Sequence, residues 1–293
     1  MSSQGNVTAN EKYRDSLFRF LFGNDKNIAL ELYNAVNGTD YTNADDLEIN
    51  TLKDVIYMKM KNDLSFIFGS VLNLYEHQST VNPNMPLRGL MYISELYDKL
   101  YGGDPKIYSR SLLKIPTPQY VVFYNGDDNK WTDERIKLRL SDAFNIPLSD
   151  DDRGDYEWTA TVVNINKGKN EAIKNRSITL NHYCQFVELV KKYSKDIPFD
   201  EAVDKAVQEC IDNGVLADFL MKHRKEVKLM CLTEFNEQKY TEMVRDEGKA
   251  ESLIKCVKGF ASKHNVSIEE ACEEMDIEFS EYEEAQKLML ADA

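Results

Sequence analysis

No stretch of the 293-residue chain approaches the roughly 20 consecutive apolar residues that a membrane-spanning helix requires, so no membrane partner is expected. Residues 1–10 are polar with no apolar centre, and no secretory signal is expected there. The five cysteines, Cys184, Cys210, Cys231, Cys256 and Cys272, are odd in number, widely spaced and free of any Cys-x-x-Cys pattern. That spacing excludes a disulfide framework, argues against a zinc site, and reads as buried thiols in a reducing cytoplasm. Low-complexity tracts and internal repeats are missing, and heptads are not sustained long enough to name an oligomer. The acids Asp150, Asp151, Asp152 and Asp155 lack the ligand register of an EF-hand and read as a solvated loop.

What is present is a hydrophobic content of 42%, enough for one large core or two modest ones. The net charge of −14 is unevenly spread: residues 1–199 carry 27 acids and 24 bases, and residues 200–293 carry 23 acids and 12 bases. Phosphate contacts supply most non-specific affinity for nucleic acid, so the acidity of the second part disfavours it as a DNA surface. The near-neutral first part leaves room for a basic face. Lys53, Lys59, Lys61, Arg88 and Lys99 fall in elements that would provide one, although each by itself reads first as an ordinary surface residue.

The sharpest local signal is a hairpin. The apolar run 64–68 leads into Gly69 and Ser70, a glycine-first pair suited to a type II′ turn, and then into the run 71–78. A two-residue turn sets Phe68 opposite Val71, and counting back sets Asp63 opposite Glu76, with Gln78 on the face of Glu76. Opposed residues have Cβ atoms roughly 5 Å apart, where like charges repel unless a cation neutralises them. Paired carboxylates with a polar group beside them suit metal-assisted phosphodiester hydrolysis. Spacing alone fits a solvated hairpin face equally well.

Asp63, residues 73–80 and residues 82–89 together resemble the recombination-promoting nuclease (Rpn)/putative transposase family, within the PD-(D/E)XK nuclease superfamily. The resemblance extends upstream to 13–23, similar to that family's opening helix, and downstream to 116–126, similar to its core strand. It implies an α/β fold with a mixed central sheet flanked by helices. It also implies a divalent-metal-dependent DNA endonuclease linked to recombination or mobile elements, using Mg²⁺, or Mn²⁺ or Ca²⁺ in its place. By the same likeness Asp63 and Glu76 hold the metal, the His77 carbonyl is a further ligand, and Gln78 stands where the superfamily carries lysine. Glutamine is no general base at neutral pH, so Gln78 is expected only to orient a water. The His77 side chain points away from Glu76 and reads as structural. Asp15 resembles an acid of the opening helix and is either an accessory group near the metal or an acid favoured by the helix dipole.

Around this centre, 12–22 reads as a helix, Asp25 as the cap of a second, and 53–60 as a strand entering the hairpin. A helix is expected from 87 to 101, with Arg88 and Tyr92 on one face. Arg88 is expected to steady a phosphate, and Tyr92 to join it or to fill the core, with Lys61 as a further phosphate contact. Residues 120–124 read as a strand buried on both faces, and 135–140 and 157–165 as further strands. From 177 onward the pattern is helical, over 178–193, 199–213, 215–230 and 232–261, followed by short acidic helices at 267–275 and 280–290. The expected division is a nuclease-like core over 1–176 and an acidic helical extension over 177–293, the last helices serving packing or self-association as a homo-oligomer. An alternative from another class is a nuclease-like binding or scaffold protein with weak or no catalysis, suggested by Gln78 and the acidic tail.

Overall fold

The hairpin turn is set by Gly69, whose φ of 59° lies in the left-handed region that a side chain rarely adopts. It joins β2 (Leu64–Phe68) to β3 (Val71–Gln78) in antiparallel register, from Phe68 opposite Val71 to Leu64 opposite Tyr75. A computed structural model describes residues 13–49, 63–127, 130–149, 157–232, 237–264 and 266–290. The strand expected over 53–60, the residues Lys53, Lys59 and Lys61, and the acidic loop from 150 lie outside the described residues.

The described strands form one mixed six-stranded sheet in the order β1-β2-β3-β4-β6-β5, with β1 at Leu47–Ile49, β4 at Thr117–Tyr124, β5 at Arg135–Arg139 and β6 at Thr159–Asn164. Its centre, β3-β4-β6, is parallel, while β1-β2, β2-β3 and β5-β6 are antiparallel. Parallel strands need a crossover and cover on both faces. Helix α3 (Met85–Tyr101) is that connection between β3 and β4, starting two residues before the expected position because Pro86 is favourable in a first turn.

Period-two alternation then divides the side chains. Leu72, Leu74, Tyr120, Val122 and Tyr124 join Tyr92, Ile93 and Leu96 of α3 in one core. Tyr75, Val121 and Phe123 join the other face, covered by α1 (Tyr13–Gly23) through Leu17, Phe18 and Phe22 and by α2 (Lys26–Asn37) through Leu30 and Tyr33. Asp25 caps α2 by accepting the Asn27 N–H, and Gly38 ends it at φ 69°.

The helices beyond the sheet do not begin a separate layer at 177. After the short α4 (Glu171–Arg176), α5 (Ile178–Tyr193) and α6 (Phe199–Asp212) put Leu180, Tyr183, Phe186 and Val207 into the same core as Phe18 and Phe123. The single helix expected over 215–230 is two, α7 (Ala217–Lys222) and α8 (Arg224–Leu232). The break falls at His223, whose φ of −119° leaves the helical range and whose ring packs edge-on against Phe20, 5.1 Å away. Two compact units result, residues 1–234 and 235–293, so the expected boundary at 176/177 does not coincide with a break in packing. In the second unit α9 (Glu237–His264), α10 (Ile268–Glu274) and α11 (Phe279–Leu290) close over Val257, Ala261, Cys272 and Tyr282, with a Ser267/Glu270 capping box starting α10. All five cysteines are free. Cys256, expected to be buried, is exposed because it faces away from the Val257 and Ala261 stripe of α9. No helix among the described residues is long and apolar enough to cross a membrane.

Candidate functional site

One step past the Leu64–Tyr75 pair, Asp63 stands opposite Glu76, and the two acids are laced together through the backbone. The Asp63 N–H donates to Glu76 Oε1 at 3.0 Å, and the His77 N–H donates to Asp63 Oδ2 at 2.6 Å. Each carboxylate therefore satisfies an amide that the end of a short strand would leave open. Both are nearly closed to water, with side-chain exposures of 11% for Asp63 and 2% for Glu76.

Burial without full neutralisation shows in their protonation. Desolvation pushes the Asp63 carboxyl up to about 6, with Arg19 opposing the rise. Desolvation and then the charge of Asp63 push Glu76 well above the ordinary carboxylate range, against Arg88. The pair titrates as a unit, and a neighbouring cation is what would stabilise both charges at neutral pH.

The protein supplies cations from opposite directions. Arg88 of α3 brings Nη2 to 3.1 Å from Glu76 Oε2 and to 3.0 Å from the Tyr92 hydroxyl one turn on. Arg19 of α1 brings Nε to 3.7 Å from Asp63 Oδ1. The expected phosphate ligand Arg88 is thus on Glu76 itself, and Tyr92 takes the core alternative, buried beside α3's apolar residues with its hydroxyl on Arg88.

Gly89 is what lets Arg88 reach the sheet. A Cβ there would lie 2.2 Å from the ring of Tyr120, so the helix backbone rests directly on that ring. The Tyr120 hydroxyl is buried with no hydrogen-bond partner, and burial followed by the charge of Glu76 raises its pKa. It is an orphaned polar group beside the acids.

Asp15 and His77 belong to the other side of the sheet. His77 and Glu76 are consecutive on β3, and the His77 ring, 1% exposed, lies between Asp15 Oδ1, 2.6 Å from Nδ1, and the Tyr183 hydroxyl, 3.0 Å from Nε2. Against a carboxylate Nδ1 donates, and the Tyr183 hydroxyl, which donates to the Arg14 carbonyl at 3.0 Å, closes the other side of the ring at Nε2. Asp15 therefore holds the ring of the residue whose backbone amide holds Asp63, and its charge adds to the desolvation that raises the Asp63 carboxyl. Gln78 is the half-buried last residue of β3, on the face of Glu76, and its carbonyl accepts the Asn125 N–H at 3.1 Å.

Sequence reasoning missed Arg19, Gly89, Tyr120 and Tyr183. Arg19 had a signal, since it stands four residues after Asp15 on one helix face. The others had none, because their contacts join residues far apart in the chain. The donor set suits a hard cation in one respect, two buried carboxylates whose charges lack full compensation. Among the described residues no group of three or more His, Cys, Asp and Glu is placed to share a metal. An ion here would hold two protein carboxylates and complete its shell from the backbone, water or substrate. Comparison of the chain with models of protein families, with curated proteins and with solved structures found no match.

Proposed function

We propose that this chain is a divalent-metal-dependent DNA endonuclease of the PD-(D/E)XK kind, similar to the Rpn/putative transposase family. The observation that carries the reading is the buried Asp63–Glu76 pair, two acids held face to face by backbone amides with protonation displaced upward. Perturbed, coupled carboxylates at the end of a sheet are a functional-site signature, because keeping them charged needs a cation and costs stability otherwise.

Asp63 and Glu76 would hold Mg²⁺ or Mn²⁺, which when bound supplies charge stabilisation at the phosphate and a more acidic water. Gln78 contributes an amide that accepts from and donates to a water without taking its proton. Arg88, freed from Glu76 by an incoming cation, is placed to turn one third-exposed guanidinium toward a substrate phosphate, with the Tyr92 hydroxyl steadying it. His77, locked by Asp15 and Tyr183, keeps the Asp63 carboxylate aimed through its amide. DNA is the proposed partner.

A second reading, a nuclease-like binding or scaffold protein without useful catalysis, is favoured by the ion pair of Arg88 with Glu76 and by Gln78 in place of lysine. Plasmid nicking by purified protein with Mg²⁺ or Mn²⁺ separates the two. The nuclease reading expects nicking by the wild type and its loss in Asp63→Ala and Glu76→Ala. Identical nicking by all three, or none by the wild type, rejects it.

A further inference from the structure

In a chain of net charge −14, lysines converge on a cleft of about 670 Å³ at the carboxyl ends of β4 and β6. Lys167 and Lys169 come from the loop after β6, and Lys191, Lys192 and Lys195 from the end of α5 and the turn beyond it. Lysines in a last helical turn answer the helix dipole, which accounts for Lys191 and Lys192. It does not account for Lys167, Lys169 and Lys195, which lie in loops.

The wall is built rather than incidental. Asn166 donates to the Gly126 carbonyl at 3.0 Å, and its own N–H is held by Asn164 Oδ1 at 3.0 Å, so the loop bearing Lys167 and Lys169 is tied to the end of β4. The carboxylate of Asp127 is already neutralised by Arg14 at 3.1 Å and Lys191 at 2.8 Å. Lys192 rests over the ring of Tyr193, 5.0 Å from its centroid, a contact that leaves its charge uncompensated. Lys167, Lys169 and Lys195 have no carboxylate within ion-pair distance among the described residues. Glu188 on the same wall pairs with Lys191 at 3.5 Å, so the other four ammonium groups leave the cleft with an excess of positive charge open to an anion.

The cleft wall also touches the end of the strand that carries Glu76. Gly126 in its wall is pressed against the chain just past Gln78, since a Cβ on it would lie 2.3 Å from the Ser79 carbonyl, and Asn125 N–H bonds to the Gln78 carbonyl. Ligands of open α/β sheets bind outside the carboxyl ends of parallel strands, and β3, β4 and β6 all end here.

We infer that this lysine cleft binds the phosphate backbone of DNA flanking the cleaved bond, a subsite that rests on the nuclease reading but not on its chemistry. Several ammonium groups spaced along a groove suit a repeating phosphodiester better than a single small anion. The cleft makes the affinity, and the acid pair acts on the bond beyond its Gln78 end.

The test is a fluorescence-anisotropy titration of labelled single-stranded and duplex oligonucleotides with the full chain, in chelator so that no hydrolysis occurs, across a salt series. Lys167→Glu/Lys169→Glu/Lys195→Glu is expected to weaken binding roughly tenfold or more and to lower the salt slope by about 2 to 3, near 0.9 per phosphate lost on duplex and 0.7 on single strands. Lys106→Glu/Lys114→Glu/Lys137→Glu makes the same change in charge on exposed residues outside the cleft and is expected to do much less. Equal weakening by both triples, an unchanged slope in the cleft triple, or no wild-type binding at ~100 µM, the weak end of non-specific affinity, overturns the inference. The glutamine triple at the same cleft positions, expected to show a smaller loss in the same direction, serves if the glutamate triple fails to fold. Lysine-dependent binding without nicking would sink the nuclease reading and leave the cleft. Nicking with cleft-independent binding would do the reverse.

Discussion

Arg88 stands 3.1 Å from Glu76 and is held there by Tyr92, so the strongest cation at the acid pair belongs to the protein itself. Any external cation must bind in competition with it or displace it.

Arg88→Ala should therefore destabilise the fold by about 1–3 kcal/mol, the cost of leaving a buried carboxylate unpaired reduced for the partial exposure of the guanidinium. Urea denaturation at pH 7.5 measures it. Arg88→Ala/Glu76→Gln should recover most of the loss, because a neutral amide needs no counter-charge. A double variant as unstable as the sum of its singles would show that the pair is not coupled.

Both acids hold their protons to higher pH in the folded state than in an unfolded chain, where carboxylates titrate at about 4. Their contribution to stability is then fully present below that value and is lost as pH rises through about 6 for Asp63 and through the raised range of Glu76. Wild-type melting midpoints are expected to decline from pH 5 to 8 relative to Asp63→Asn/Glu76→Gln. Mg²⁺ should restore more at pH 8 than at pH 5, since it binds the ionised pair. Parallel profiles for the two proteins would contradict the displaced titration.

Gly89→Ala forces a methyl group into the Tyr120 ring at 2.2 Å, and the ring is itself buried. A loss of about 1–3 kcal/mol is expected from overpacking, with any nicking activity falling as Arg88 is carried away from Glu76. Tyr120→Leu in the same chain should return much of the stability, which thermal melting would register. A neutral Gly89→Ala would mean that the helix can slide off the sheet.

On the nuclease reading, Gln78→Ala should slow metal-dependent nicking roughly tenfold through kcat rather than KM, as expected for loss of a group proposed to orient the attacking water. Gln78→Lys is expected to retain activity, since an ammonium can orient the same water. Single-turnover nicking rates against DNA concentration separate these outcomes, and a wild-type rate in Gln78→Ala would remove the residue from the site.

Local rules reached far into this fold. Gly69 and Ser70 made the hairpin register legible, and period-two counting from that turn was enough to bring Asp63 opposite Glu76. The unbroken apolar run of β4 announced a strand covered on both faces, and Asp25 and Gly38 bracketed α2 by their own chemistry. These features depend on neighbours a few residues away, which any reader of the chain can count. The break at His223 was not countable, and it falls where the His223 ring packs on Phe20 of α1, far away in the chain.

What only the tertiary structure decided is which distant groups meet. Periodicity set Arg88 and Tyr92 on one face of a helix, but the packing of α3 and α1 on opposite faces of the sheet brought Arg88 onto Glu76 and Asp15 onto the His77 ring, and the parallel ends of β4 and β6 gathered separate loops around one cleft. The reason is physical: side-chain alternation is a property of one strand, whereas the neutralisation of a buried charge depends on every element packed against it.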